Sequence, residues 1–209
     1  METRIFAEGS THGFLHVPLD ATGDGLVLTH GAGSNCQSPL LIAVANAFAA
    51  IGFHVLRCDL AFRRLRRFGP PAPAQGQADR EGLAGAVSHM RGIAPGRIVL
   101  GGHSYGGRQA SMLCAEDAGT ADALLLLSYP LHPPKKANQL RVAHFPNLRI
   151  PALFVHGTKD PFGSVEEMRS AIEAIPARTE LSVIEGAGHD LAKGQFDIDE
   201  MVIRRIRLF

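Results

Sequence analysis

Arg97-Ile98-Val99-Leu100-Gly101-Gly102-His103-Ser104-Tyr105-Gly106-Gly107-Arg108-Gln109-Ala110-Ser111-Met112-Leu113-Cys114-Ala115 is the stretch that decides the fold. Its first five residues are a short, largely apolar run, which predicts a buried strand. Gly107 to Ala115 predicts a helix. Between them Gly102-x-Ser104-x-Gly106 makes a sharp turn. Such a turn holds its serine in a strained backbone conformation at the top of a sheet. A Cβ at 102 or 106 would collide with the neighbouring strand or helix, so both positions call for glycine.

Outward from this stretch, strand-like and helix-like runs alternate from residue 26 to the end. Leu26-Val27-Leu28-Thr29, His54-Val55-Leu56-Arg57-Cys58, Ala123 to Ser128, Ala152 to His156 and Glu180 to Ile184 read as further strands. Residues 37–51 carry Leu40, Leu41, Val44, Phe48 and Ile51 at helical spacing, and Gly52 closes that helix. A helix is predicted over 77–92, and another from Val165 to Ile175 with Ser164 as its N-cap. A closing helix is predicted from Phe196 to Leu208. Continuously apolar strands separated by helices mean a parallel sheet covered on both faces. The expected fold is α/β: about seven strands, six of them parallel. Ile5–Ala7 and Phe14–Val17 add one or two antiparallel edge strands.

The 209 residues suit one domain, 1–209, with a sizeable core. Apolar residues make up 45% and charged residues 20%, with a net charge of +1, which suggests neither nucleic acid nor membrane as a partner. Met1-Glu2-Thr3-Arg4 does not read as a secretory signal, and no stretch approaches the roughly 20 apolar residues of a membrane helix. Cys36, Cys58 and Cys114 form no C-x-x-C pair and read as reduced thiols of a cytoplasmic protein. Cys36 alone follows a glycine-rich turn and is the one thiol placed for a chemical role. Neither phosphate-cradling glycine motif occurs, and no His/Cys/Glu cluster has metal-ligand spacing, so no cofactor or metal is expected. Monomer and homodimer are both open.

A serine hydroxyl needs a base within hydrogen-bond reach, an acid to orient that base, and donors for an oxyanion. Downstream of Ser104, the strand at 152–156 runs into Gly157-Thr158-Lys159-Asp160-Pro161, and the strand at 180–184 into Glu185-Gly186-Ala187-Gly188-His189-Asp190. Ser104, Asp160 and His189 thus come in the order nucleophile, acid, base, each after a strand's carboxyl end. Asp59 and Asp190 are weaker rival acids. His103 is expected to pack beside the turn, and His156 to be structural. Oxyanion donors are expected from the Tyr105 N–H and from the loop His30-Gly31-Ala32-Gly33-Ser34-Asn35, with Ala32 first and Gly33 next. Two irregular segments also leave carboxyl strand ends, where ligands of open α/β sheets bind. One carries Arg63, Arg64, Arg66 and Arg67; the other carries Lys135, Lys136 and Arg141. Arg63 and Arg64 are therefore candidates to hold a negatively charged substrate.

These motifs, with Val55-Leu56-Arg57-Cys58-Asp59-Leu60 and Tyr129-Pro130-Leu131-His132-Pro133-Pro134, resemble the small α/β-hydrolases. The likeness is strongest to short bacterial proteins of the dienelactone-hydrolase-like and testis-expressed-protein-like groups. The resemblance implies an α/β-hydrolase fold. Only about twenty residues separate Ser128 from Ala152, too few for a cap domain. The expected activity is that of a serine hydrolase acting on small-molecule carboxylic esters or thioesters. Dienelactone hydrolases proper use a cysteine nucleophile, whereas this chain has Ser104. Acyl transfer and perhydrolysis would use the same three residues. A non-catalytic interaction module that keeps the fold is the alternative from another class.

Overall fold

The computed structural model describes residues 1–207 and 209, with only the main chain considered at Pro73. Eight strands form one sheet in the order β1-β2-β4-β3-β5-β6-β7-β8. They are β1 (Glu2–Glu8), β2 (Thr11–Val17), β3 (Gly25–Thr29), β4 (His54–Cys58), β5 (Ile98–His103), β6 (Ala123–Leu127), β7 (Ala152–Gly157) and β8 (Thr179–Ile184). β3 to β8 are parallel, while β1 and β2 pair antiparallel at one edge. Both N-terminal edge strands are therefore present, which makes the sheet one strand larger than the seven expected.

The period-2 alternation of the strands sorts the core into two layers. Val27, Leu56, Leu100, Leu124 and Leu126 face one cluster, with Leu83, Val87 and Met90 of α3 (Gly76–Ile93) and Ala110 and Leu113 of α4 (Tyr105–Glu116). Leu26, Leu28, Val55, Val99, Leu125 and Leu153 face the other, under Leu41, Val44 and Phe48 of α1 (Pro39–Ala50). Burial on both faces is what the unbroken apolar runs require.

Local signals place most helix ends. Ser38 caps α1 by accepting the Leu41 N–H, and Gly52 turns out of it at a φ of +96°. Ser164 and Glu167 form a capping box at the start of α5 (Val165–Ile172), which ends three residues short of the expected Ile175. A short α2 (Ala61–Leu65) lies in the arginine-bearing segment. The closing helix is much shorter than expected. Its Asp199–Ile203 turns have π-type bonding and run into α6 (Arg204–Ile206). Asp197 accepts the Glu200 N–H and so marks a late start. Leu208, the predicted last residue, lies outside the described residues. The Leu131–Ile150 segment contains one short helical turn, Phe145–Asn147, and no cap domain.

At the centre of the sheet β5 turns directly into α4. A Cβ on Gly102 would lie 2.7 Å from both Gly106 C and Gly107 N. One on Gly106 would lie 2.5 Å from His30 O, on the loop after β3. The turn is thus wedged between its own helix and the neighbouring strand's loop. Gly106→Ala is expected to lower unfolding free energy by about 1–3 kcal/mol through overpacking. Urea denaturation that leaves the midpoint unchanged would contradict this packing account.

Candidate active site

Ser104 sits between β5 and α4 with φ +53°, a left-handed conformation that few non-glycine residues adopt. It is pinned there from both sides: its N–H donates to Leu127 O at 2.8 Å, and its carbonyl accepts the Arg108 N–H at 3.0 Å. The consequence is a half-buried hydroxyl that lines the cleft at the carboxyl edge of the sheet. Two loops, those after β7 and β8, reach it. His189 Nε2 lies 2.8 Å from Ser104 Oγ, and His189 Nδ1 lies 2.8 and 3.0 Å from the two oxygens of Asp160. A carboxylate only accepts, so Nδ1 carries the proton and Nε2 is left to accept from the serine hydroxyl.

Each partner is itself held. Asp160 is buried and also accepts the Phe162 N–H at 2.9 Å. Burial alone would raise its pKa. The bond to His189, that histidine's charge and the Phe162 N–H together outweigh burial and hold the carboxyl below its ordinary value. The Phe162 ring lies 4.2 Å from the His189 ring at an interplanar angle of 30°. From the other side, His103 Nε2 donates to the His189 carbonyl at 2.7 Å. Burial lowers the His103 pKa to about 4, so this neighbour stays neutral near neutral pH. After His189 the chain runs through Leu191, Ala192 and Lys193, all at positive φ, which sets the loop's return path.

Ala32 and Tyr105 line one cleft of about 370 Å³ with Ser104, Phe162 and Pro130. Tyr105 opens α4, so its N–H has no intrahelical acceptor. Among the described residues, neither its N–H nor that of Ala32 is used by another group. Gly31 is favoured by close approach, because a Cβ there would lie 3.0 Å from His103 Nδ1. Gly33 is not: it is exposed, and a Cβ would meet nothing within 4 Å.

The arginines expected at the substrate are placed otherwise. Arg63 is buried, and its guanidinium donates to the carbonyls of Ala32 (2.7 Å), Arg67 (2.9 Å), Gly69 (3.1 Å) and Arg66 (3.2 Å). It staples its own loop to the loop of Ala32 and has no free face for a substrate. Arg64 points away and donates to Ser10 O. The basic side chains that do line the cleft are Arg108, one turn into α4, and Arg141, in the segment after β6. Arg108 follows Ser104 by four residues and stands in the first turn of the helix that Ser104 precedes. Arg141 is brought there by tertiary structure alone. Cys36 is buried, and burial pushes its thiol up to about 12, so it stays protonated and unreactive. Of the rival acids, Asp59 takes the Cys36 N–H and Asp190 the Ala192 N–H. His156 lies behind Asp160 and bonds Gly163 O. No group of three or more His, Cys, Asp or Glu among the described residues is placed to hold a metal, and no helix there is long and apolar enough to cross a membrane.

With this geometry in place, comparison with known proteins agrees on the family. Residues 23–199 match the family model described as an alpha/beta hydrolase domain, and the chain belongs to that family. Among solved structures it is similar to an alpha-beta serine hydrolase homologue from Coxiella burnetii (15% identity, TM-score 0.76, 98% of this chain and 97% of that one). It is also similar to a dienelactone hydrolase from Anabaena variabilis (21%, 0.73, 99% and 96%). A third is a lidless a/b serine hydrolase from Xanthomonas campestris (15%, 0.75, 99% and 94%). At these identities the likeness to the three structures is one of fold.

Two expectations follow from the site's supports. Arg63→Ala should cost about 1–3 kcal/mol in unfolding free energy, because it orphans partly buried carbonyls, while Arg64→Ala should stay within about 0.5 kcal/mol. Equal, small effects in chemical denaturation would remove the stapling role. Burial also lowers His16 and His144, like His103, from 6.5 to about 4. A folded-state pKa below the unfolded one makes stability full above pH 6.5 and lost as pH falls towards 4, by at most about 1.4 kcal/mol per pH unit for each histidine. His103→Asn should flatten that slope, and a variant with the wild-type slope would show that His103 takes no part in it.

Proposed function

We propose that this chain is a serine hydrolase that cleaves small carboxylic esters or thioesters through an acyl-enzyme on Ser104. The observation that carries the reading is the unbroken line from Asp160 through His189 to Ser104, with both links at 2.8 Å. His189 Nε2 takes the hydroxyl proton as Ser104 Oγ attacks the carbonyl carbon. Asp160 keeps the imidazole in the required tautomer and steadies the imidazolium. The Tyr105 and Ala32 N–H groups receive the oxyanion, and Tyr105 does so at the positive end of α4. The leaving alcohol or thiol departs with the proton from His189. Water then attacks the acyl-enzyme by the same route in reverse, which frees the acid and restores Ser104. Residues 1–209 act in this as one catalytic domain with no cofactor. The open cleft suits a small ester without a long chain to enclose.

Labelling by a fluorophosphonate and turnover of p-nitrophenyl acetate and an acyl thioester test the proposal. Wild type should be labelled at Ser104, and Ser104→Ala should lose both label and turnover. Asp160→Asn and His189→Ala should each lower kcat by about 10⁴-fold. A folded wild type that takes no label, or a Ser104→Ala variant that keeps its turnover, would overturn it.

A further inference from the structure

Two cationic side chains from separate elements converge on the cleft whose floor is Ser104. Arg108 comes from the first turns of α4, and Arg141 from the segment between β6 and β7. The Arg141 main chain is fixed independently of its side chain: its N–H donates to Leu131 O at 2.8 Å, and its carbonyl accepts from Tyr129 Oη at 2.6 Å. Arg80, Arg91, Arg97, Arg204 and Arg205 are each paired with a carboxylate. Neither Arg108 nor Arg141 has one within 4 Å among the described residues; Arg108 reaches the neutral Tyr129 hydroxyl, and its Nε, like those of Arg63 and Arg205, is buried with no acceptor. Burial, followed by the charge of Arg108, lowers the Arg141 guanidinium below its ordinary pKa and lowers His144 to about 4. Two partly buried like charges with no counterion are costly on their own. An anion between them would relieve that cost through charge-assisted, fork-shaped hydrogen bonds.

We propose that Arg108 and Arg141 form a carboxylate subsite, and that the substrate is an ester of a short dicarboxylic acid whose free carboxylate they hold. This names the substrate class of the serine hydrolase reading and rests on it. The acyl half is assigned for a geometric reason. The leaving alcohol must lie beside His189, which gives it a proton. The cleft is lined by Ser104 and both proposed oxyanion donors, and His189 is not among its walls. The chain must be short because Arg108 stands in the first turn of α4, four residues after Ser104, and both line one cleft of about 370 Å³. Phe162, Pro130 and Pro71 supply an apolar sleeve for the methylenes.

Monoethyl glutarate and ethyl valerate have the same acyl length and differ in the terminal carboxylate, so their hydrolysis in a pH-stat isolates its contribution. The ratio of their kcat/KM values should favour the glutarate ester in wild type. It should fall about 10–100-fold in Arg108→Gln and in Arg141→Gln, and be partly restored in Arg108→Lys. A ratio that favours the neutral ester in wild type, or that does not change in both Gln variants, overturns the subsite. Circular dichroism establishes that each variant is folded, and Arg141→Gln keeps the main-chain bonds that place its loop. A second readout needs no turnover. Glutarate titrated calorimetrically into Ser104→Ala should bind, and at least tenfold more weakly when Arg108→Gln is added. No binding, or binding indifferent to Arg108, counts against the subsite. Loss of ethyl valerate turnover in Ser104→Ala speaks to the serine hydrolase reading alone, so the two ideas fail separately.

Discussion

Everything at this site depends on the close contact between β5, α4 and the loop after β3. Ser104 occupies a left-handed conformation worth about 1–2 kcal/mol of strain, and packing holds it there. Gly102 lets the helix return within van der Waals distance of the strand, and Gly106 lets it touch the His30 carbonyl. The same contact fixes three further groups. The Tyr105 N–H faces outward because it opens the helix. The Ala32 loop is brought beside it because Gly106 and Gly31 leave no side chains in the gap. Arg108 stands over the cleft because it lies one turn along the same helix. Asp79 locks the opposite wall: it is fully buried and accepts from Tyr105 Oη at 2.7 Å and from the Phe62 N–H at 2.9 Å. It thereby joins α2, α3 and α4.

The proposed acid and base, Asp160 and His189, are held by softer means. Both ride on loops, and loops need more ties than strands do. Asp160 is oriented by a main-chain N–H and by burial, and His189 by a ring above and a tethered carbonyl below. The neutrality of His103 matters here. A charged imidazole 5.1 Å from the His189 ring would oppose the imidazolium that the proposed reaction forms. Burial keeps His103 uncharged through the range in which His189 would work, and the cost is the acid-side loss of stability described above.

The parts of this arrangement that were legible in the sequence are those governed by short-range rules. Gly102-x-Ser104-x-Gly106 declares itself because the turn needs its glycines within five residues. Asp160 and His189 are readable because each follows an apolar strand run at a fixed, short distance. Continuous apolar runs also reveal the parallel sheet and its two covered faces. What charge and composition do not encode is direction. Arg63 and Arg64 are neighbours in a basic run, yet α2 turns one into the protein and the other out to solvent. The run itself explains why Arg63 turns in: an irregular, proline-bearing loop leaves carbonyls without N–H partners, and a guanidinium can serve several at once. Gly33 looks like Gly31 in sequence, and only the position of His103 tells them apart. The late start of the closing helix turns on one side chain, Asp197, whose capping bond outcompetes an amphipathic pattern.

The contrast between Arg63 and the pair Arg108 and Arg141 separates a structural guanidinium from the proposed binding ones. All three are partly or wholly withdrawn from water, which is unfavourable for a charge unless something replaces the lost hydration. For Arg63 four carbonyls do so, and the charge is absorbed by the fold. Around Arg108 the neighbours are Ser111, His144 and Tyr129 of a polar but uncharged surround, with a second arginine rather than an acid across the cleft. The chain's net charge of +1 conceals this, since acids elsewhere balance the count without reaching the site. A positive potential confined to one cleft and left uncompensated beside the proposed nucleophile would attract an anion and set its distance from the reacting carbonyl. On the proposed reading, the selectivity of the site is therefore carried by two side chains whose field the fold does not cancel, and the hydrolytic chemistry by the turn that holds Ser104.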